Sequence, residues 1–176
     1  EDGPPPEPLC NGHAAAISSF DVCPRNLMVV TASTDGTVCV WDAGGGSDGD
    51  GGDDDDDDDD DDSDGDDVGT PAAAGTLVQR RTFADAATSV SVHPAGHHVA
   101  LAFPDAGISV CDVRRRDLVE AWSVRPLKKC AACAFSDGGH LLAVSHASVP
   151  TVSLFDFLTG RRAADLRGHA SRAVRL

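Results

Sequence analysis

The chain has 176 residues, 29 of them acidic and 14 basic, for a formal net charge of −15. Fifteen of the acids are aspartates lying between Ser47 and Val68; the other 14 balance the 14 basic residues, so the charge belongs to one segment. The balance of the remainder forces no basic face of the kind a nucleic-acid binder shows, and no apolar run approaches the ~18 residues of a membrane span.

Residues 1–8, opening Glu1-Asp2-Gly3-Pro4-Pro5-Pro6, are neither basic nor apolar; they do not fit a secretory signal and read as a flexible lead. With no initiator Met, the chain is expected to be a fragment or a processed product. From Ala16 onward helical periodicity is nearly absent. Short runs rich in β-formers alternate instead with Gly, Asp and Pro turns. The predicted strands are 16–22, 27–33, 37–41, 76–83, 89–93, 98–103, 108–113, 118–124, 132–135, 141–145, 152–157 and 162–166. Turns fall at Pro24-Arg25-Asn26, Thr34-Asp35-Gly36, Pro94-Ala95-Gly96, Pro104-Asp105-Ala106-Gly107 and Asp137-Gly138-Gly139. Many short strands at steady spacing predict an antiparallel all-β chain.

The spacing repeats. Pro24 to Trp41 and Pro94 to Cys111 are each 17 residues, Ser136 to Phe155 is 19, and each interval ends in a hydrophobic residue followed by Asp. Pro94 to Ser136 is 42 residues, and four strands per ~40–45 residues is the size of a propeller blade. Gly12-His13 followed by Thr34-Asp35-Gly36-Thr37-Val38-Cys39-Val40-Trp41-Asp42 resembles a complete WD40 repeat. Leu166-Arg167-Gly168-His169 resembles the opening of another. The fold expected is therefore an all-β WD40 β-propeller fragment of about three blades plus the start of a fourth, carrying a disordered acidic insert. Its layout would be blade 1 at 9–43 and 76–83, the insert at 44–75, degenerate blades at 84–125 and 126–167, and a fourth beginning at 168–176. Propellers close a ring of four to eight blades, so the remaining blades are expected in a full-length chain, and this piece alone should be marginal.

The resemblance implies a buried hydrogen-bonded tetrad of His13, Thr31, Asp35 and Trp41, which rigidifies the blade and is structural. Blade 2 retains only Asp105 of that set, beside Leu101 and Cys111, and is expected to rely on apolar packing. The insert holds Asp, Gly, Ser and a little Ala and no Glu, with almost nothing to bury, which predicts disorder and excludes an EF-hand loop. It is either a tolerated low-complexity insertion or, through the run Asp53 to Asp62, an acidic lure for basic partners. Arg114, Arg115 and Arg116, in the third-to-fourth-strand loop of blade 2, are expected on the same face as that run. They read as a solvated turn or a grip on an acidic partner.

Other chemistry finds little support. Without a secretory signal or a dense cysteine framework, Cys10, Cys23, Cys39, Cys111, Cys130 and Cys133 read as free thiols. Cys130-Ala-Ala-Cys133 has redox or zinc spacing, but residues three apart on a regular strand face opposite sides. His93, His97, His98, His140 and His146 lack compact ligand spacing and read as surface or edge histidines. No cofactor or metal is expected. There is no G-x-S-x-G elbow, phosphate loop or H-E-x-x-H, and no tyrosine, so no enzyme is expected.

Over residues 81–176 a finer likeness emerges. Ser91-Val92-His93-Pro94-Ala95-Gly96 and Cys133-Ala134-Phe135-Ser136-Asp137-Gly138-Gly139-His140-Leu141-Leu142-Ala143 resemble the axonemal cilia- and flagella-associated proteins with N-terminal WD repeats and a C-terminal coiled coil. That resemblance implies a scaffold for other proteins in the axoneme of motile cilia, near inner-arm dyneins and their regulatory complexes. The rival reading is a nuclear or cytoplasmic WD40 adaptor whose acidic loop binds basic proteins.

Overall fold

The computed structural model describes residues 12–23, 25–43, 75–115, 117–125 and 129–168. Twelve strands run β1 (Ile17–Cys23), β2 (Met28–Ser33), β3 (Thr37–Asp42), β4 (Thr76–Thr82), β5 (Ser89–Val92), β6 (His98–Phe103), β7 (Gly107–Asp112), β8 (Val119–Val124), β9 (Cys130–Phe135), β10 (Leu141–His146), β11 (Thr151–Asp156) and β12 (Arg162–Arg167). They form three antiparallel four-stranded meanders, β1 to β4, β5 to β8 and β9 to β12, which are three blades of a propeller. The insert expected at 44–75 lies, except for Gly75, outside the described residues, as does the onset of a fourth blade beyond Gly168.

Local chemistry explains the meander. Gly36 adopts φ 82, which glycine tolerates without a Cβ penalty, and a Cβ there would sit 2.9 Å from the Phe83 carbonyl. The Phe83 N–H donates to the Gly36 carbonyl at 2.9 Å, tying the β2–β3 turn to the end of β4. β9 begins two residues earlier than expected. Its pairing skips Ala131 between Ala132↔Ser145 and Cys130↔His146, a bulge that leaves one residue unpaired. The bulge overturns the strict alternation expected for Cys130 and Cys133, and both are buried in the same apolar cluster.

Blade 2 shows how the blades stack. Along β6, Val99, Leu101 and Phe103 pack with Val30, Ala32, Val38 and Val40 of blade 1. The alternate residues Ala100 and Ala102 pack, with Ile108 and Val110 of β7, against Cys133, Leu142, Val144 and Phe155 of blade 3. A strand buried on both faces reads as a continuous apolar run, which is why His98–Phe103 shows little polar alternation. Leu101, Ile108 and Leu142 are wholly buried, and each such side chain contributes roughly 1.5–3 kcal/mol of transfer free energy.

The innermost strands β1, β5 and β9 lie side by side, and side chains join them. Ser19 Oγ accepts the Val90 N–H at 3.1 Å and Asp21 Oδ2 accepts that of Val92 at 2.7 Å. One blade further on, Ser89 Oγ accepts the Cys133 N–H and Ser91 Oγ that of Phe135, both at 3.1 Å. Edge-strand N–H groups that a neighbouring sheet would otherwise bury unpaired are thus satisfied. The strands border a polar hollow of about 860 Å³, into whose lining fall Phe20, Asp21, Arg25 and Asp137.

Candidate functional site

Blade 1 carries a directed polar chain. The Trp41 Nε1–H donates to Thr31 Oγ1 at 2.8 Å, and Thr31 Oγ1 lies 2.6 Å from His13 Nε2. His13 Nδ1 lies 2.5 Å from Thr37 Oγ1, which donates to Asp35 Oδ1. Asp35 Oδ2 accepts the Ala14 N–H, and Oδ1 also accepts the Thr37 N–H at 2.8 Å. Indole N–H only donates and carboxylate only accepts, so both ends fix the direction. Thr31 gives its proton to His13 Nε2, and His13 donates from Nδ1 to Thr37. Residues 13, 31, 35 and 41 therefore meet in one network, but His13 and Asp35 do so through Thr37. Sequence reading missed Thr37, although a hydroxyl directly after Asp35-Gly36 was the available signal.

The electrostatics agree with a neutral imidazole. Burial lowers the His13 pKa, opposed by Asp35 and reinforced by Arg80. Asp35 is held well below the usual carboxylate range, chiefly by the Thr37 hydroxyl and then by the Ala14 and Thr37 amides. The segment bearing His13 also closes over Trp41: a Cβ at Gly12 would stand 2.9 Å from the indole and from Cys39 Sγ, so only glycine fits.

Strand registers equate Thr31 with Leu101 and Val144, Cys39 with Ser109 and Ser153, and Trp41 with Cys111 and Phe155. Blades 2 and 3 thus lose the chain, as expected, but blade 2 is not held by apolar packing alone. Ser109 Oγ donates to Glu120 Oε2 at 2.6 Å, Ser123 to Oε1 at 2.9 Å, and Arg125 adds an ion pair at 3.3 Å. These hydroxyls, Ser109 first, lower the Glu120 pKa. In blade 3 Ser153 Oγ donates to Asp165 Oδ1 at 3.1 Å, accepts from Arg162 Nη2 at 2.6 Å, and lies 3.0 Å from His146 Nε2. Ser, His and Asp meet here in the wrong order for nucleophilic catalysis, where histidine must stand between the other two. The serine proton is committed to Asp165, and Ser153 is wholly buried.

The histidines also differ from expectation. His146 is buried, and His93 and His98 are half-buried among Phe135 and Phe157. Burial is the first cause lowering both His93 and His98. Of the basic triplet, Arg114 is bound by Asp112 through Nε at 3.0 Å and Nη2 at 2.7 Å, a bidentate grip that pulls Asp112 far below the usual carboxylate range. Arg115 is exposed, while Arg116, Asp53 and Asp62 lie outside the described residues. Burial pushes the thiols of Cys130 and Cys133 up to about 11 and about 12. Among the described residues no group of three potential ligands could hold a metal ion.

Residues 6–42 match the family model "WD domain, G-beta repeat". The chain is similar to Cilia- and flagella-associated protein 57 A of Tetrahymena thermophila, 28% identical over 163 residues covering 93% of this chain and 10% of that protein. It is also similar to Cilia- and flagella-associated protein 57 of Mus musculus, 25% identical over 164 residues covering 91% and 10%. The chain thus spans about a tenth of the length of the curated relatives it matches. Among solved structures, U3-55K and the RRP9 WD40 repeats each superpose with a TM-score of 0.69 at 12% identity, over 93% of this chain and 43% and 42% of theirs; that likeness concerns the fold. Repeat motif, blade architecture and sequence similarity agree: the described residues form three blades with a WD40-type β-propeller fold, residues 6–42 match a WD40 repeat, and the chain is similar over most of its length to cilia- and flagella-associated protein 57.

Proposed function

We propose that this chain is the WD40 part of a non-enzymatic scaffold that positions other proteins in the axoneme of motile cilia and flagella, in the region of the inner-arm dyneins. The supporting observation is its similarity to the cilia- and flagella-associated proteins, which runs through all three blades and not only through the widespread Trp-Asp motif. The physical form suits that role. Blades locked by satisfied polar networks give a rigid platform, and binding energy at such surfaces concentrates in a few anchors on the loops. In this reading the tetrad of blade 1 is structural, the layout is that of blades at 9–83, 84–125 and 126–167, and further blades complete the ring.

The test is localisation and capture. A tagged protein containing this chain, expressed in a ciliated cell, is expected along the axoneme and to co-purify with dynein-associated complexes. Exclusion from the cilium overturns the reading. A second reading rests on the fifteen aspartates between Ser47 and Val68, an acidic loop that recruits basic proteins. It predicts salt-sensitive capture of basic proteins, lost on deletion of Asp53 to Asp62; capture unchanged by that deletion overturns it.

A further inference from the structure

His93, at the mouth of the β5–β6 turn, reaches from blade 2 into blade 3. Its Nδ1 accepts the Ala95 N–H at 3.1 Å, so that nitrogen carries no proton, and Nε2–H donates to the Gly139 carbonyl at 3.1 Å. The ring lies against Phe157, with centroids 4.4 Å apart, and makes a T-shaped contact with Phe135 at 5.0 Å. Gly139 makes the approach possible: it has φ 72, and a Cβ there would stand 2.3 Å from His93 Nε2. The contact therefore takes an uncharged imidazole in one tautomer, held by one bond within blade 2 and one across the seam.

We propose that His93 is a pH-sensitive latch between blades 2 and 3, closed when the imidazole is neutral and released when it gains a second proton. A proton on Nδ1 points at the Ala95 N–H, donor against donor, and removes the bond that orients the ring. The titratable groups around the ring come from both blades: His97 and His98 from the same turn and β6, and His140 facing it from blade 3. Asp112 with Arg114 stands by His98, Asp156 by His140, and Asp137 belongs to the turn that holds Gly139. The Asp112 carboxylate is already engaged by Arg114, so it leaves much of the histidine charge unanswered. His98 also meets Phe157 in a T-shaped contact with centroids 5.1 Å apart.

Hydrogen exchange on the whole chain tests the latch, with rates corrected for intrinsic pH dependence. Between about pH 7.5 and about pH 5.5, a range histidine titration spans, protection of the Cys133 and Phe135 amides, which are bonded across this seam to Ser89 and Ser91, is expected to fall about tenfold per pH unit once His93 titrates. The Val90 and Val92 amides, at the other seam, are expected to keep theirs. His93→Gln keeps a donor for Gly139 and cannot titrate, so its blade 2–3 protection is expected to be flat with pH, whereas His98→Gln is expected to retain the response. In the wild type, the His93 ring resonances are expected to titrate with the same midpoint as seam opening, a check that survives if a variant fails to fold. Protection unchanged down to about pH 5.5, an undiminished response in His93→Gln, or midpoints that disagree would each overturn the proposal.

Discussion

Thr31→Val probes the polar chain of blade 1 at its centre, replacing a hydroxyl by a methyl of nearly the same volume. Thr31 is 6% exposed, and its hydroxyl both accepts the Trp41 indole N–H and faces His13 Nε2. The substitution strands two groups. The indole N–H belongs to a residue 6% exposed and loses its only acceptor among the described residues, whereas His13 is half-buried and water can replace its lost donor. A buried group left unpaired costs about 1–3 kcal/mol, so the expected loss is about 2–4 kcal/mol, most of it at Trp41. Trp41→Phe alone is expected to cost about 1–3 kcal/mol through lost packing and the lost bond. The double variant recreates the Val144 and Phe155 pair of blade 3 and removes the orphaned donor, so it is expected to cost less than the two singles together by about 1 kcal/mol or more. Urea midpoints followed by far-ultraviolet circular dichroism measure all four corners of the cycle. Additivity within about 0.5 kcal/mol, or a Thr31→Val cost below that value, refutes the directed chain.

Three further outcomes follow from the geometry. Burial lowers the His13 pKa in the folded chain, so the unfolded state binds more protons below about pH 6.5. Stability is then lost as pH falls from there toward the lower folded value. Comparing wild type with His13→Gln across that window isolates the effect, and equal slopes refute it. Ser91→Ala removes the acceptor of the Phe135 N–H at the blade 2–3 seam and is expected to cost about 1–3 kcal/mol in chemical denaturation, against less than about 0.5 kcal/mol for a surface change such as Ser148→Ala. Cys133, buried and with its thiol pushed up to about 12, is expected to resist iodoacetamide in the folded chain and to react fully in urea, read by peptide mass; rapid labelling under native conditions contradicts its burial.

Sequence reading located the strands well because their signals are local. Alternation, β-branched runs and Gly, Asp or Pro turns sit within a few residues of each strand they define, and His98–Phe103 matches the observed strand throughout. The start of β9 escaped because its bulge is imposed by β10, where Ala132 pairs Ser145 and Cys130 pairs His146, 13 and 16 residues further along the chain. The blade-to-blade bonds escaped for the same reason on a larger scale. Ser19, Asp21, Ser89 and Ser91 show a polar residue at every second place in β1 and β5, which reads as a wet strand face. Their actual acceptors and donors lie 44 to 71 residues distant in the chain. Family resemblance named four members of the polar chain but not Thr37, whose role depends on how the β2–β3 turn folds back toward His13.

The contrast between blades has a physical cause in what covers each face. In blades 2 and 3 the face bearing Leu101 and Cys111, or Val144 and Phe155, packs against the preceding blade, where apolar side chains gain by leaving water and an unpaired hydroxyl would be costly. Among the described residues, the matching face of blade 1 is covered instead by Gly12 and His13. A two-residue strap cannot seal an apolar face, since His13 itself remains half-exposed. It can anchor through directional bonds, and each bond in the series from Trp41 to Asp35 fixes the next donor. Polar networks in blades 2 and 3 follow the same logic, for they sit at the outer strands, on Glu120 of β8 and on Arg162 and Asp165 of β12, where side chains are partly wet. Polarity is therefore divided by place: apolar packing between the sheets at the seams, side-chain bonds from Ser19, Asp21, Ser89 and Ser91 along the innermost strands of those seams, and hydrogen-bonded chains that reach partly wet side chains at an outer strand or an open face.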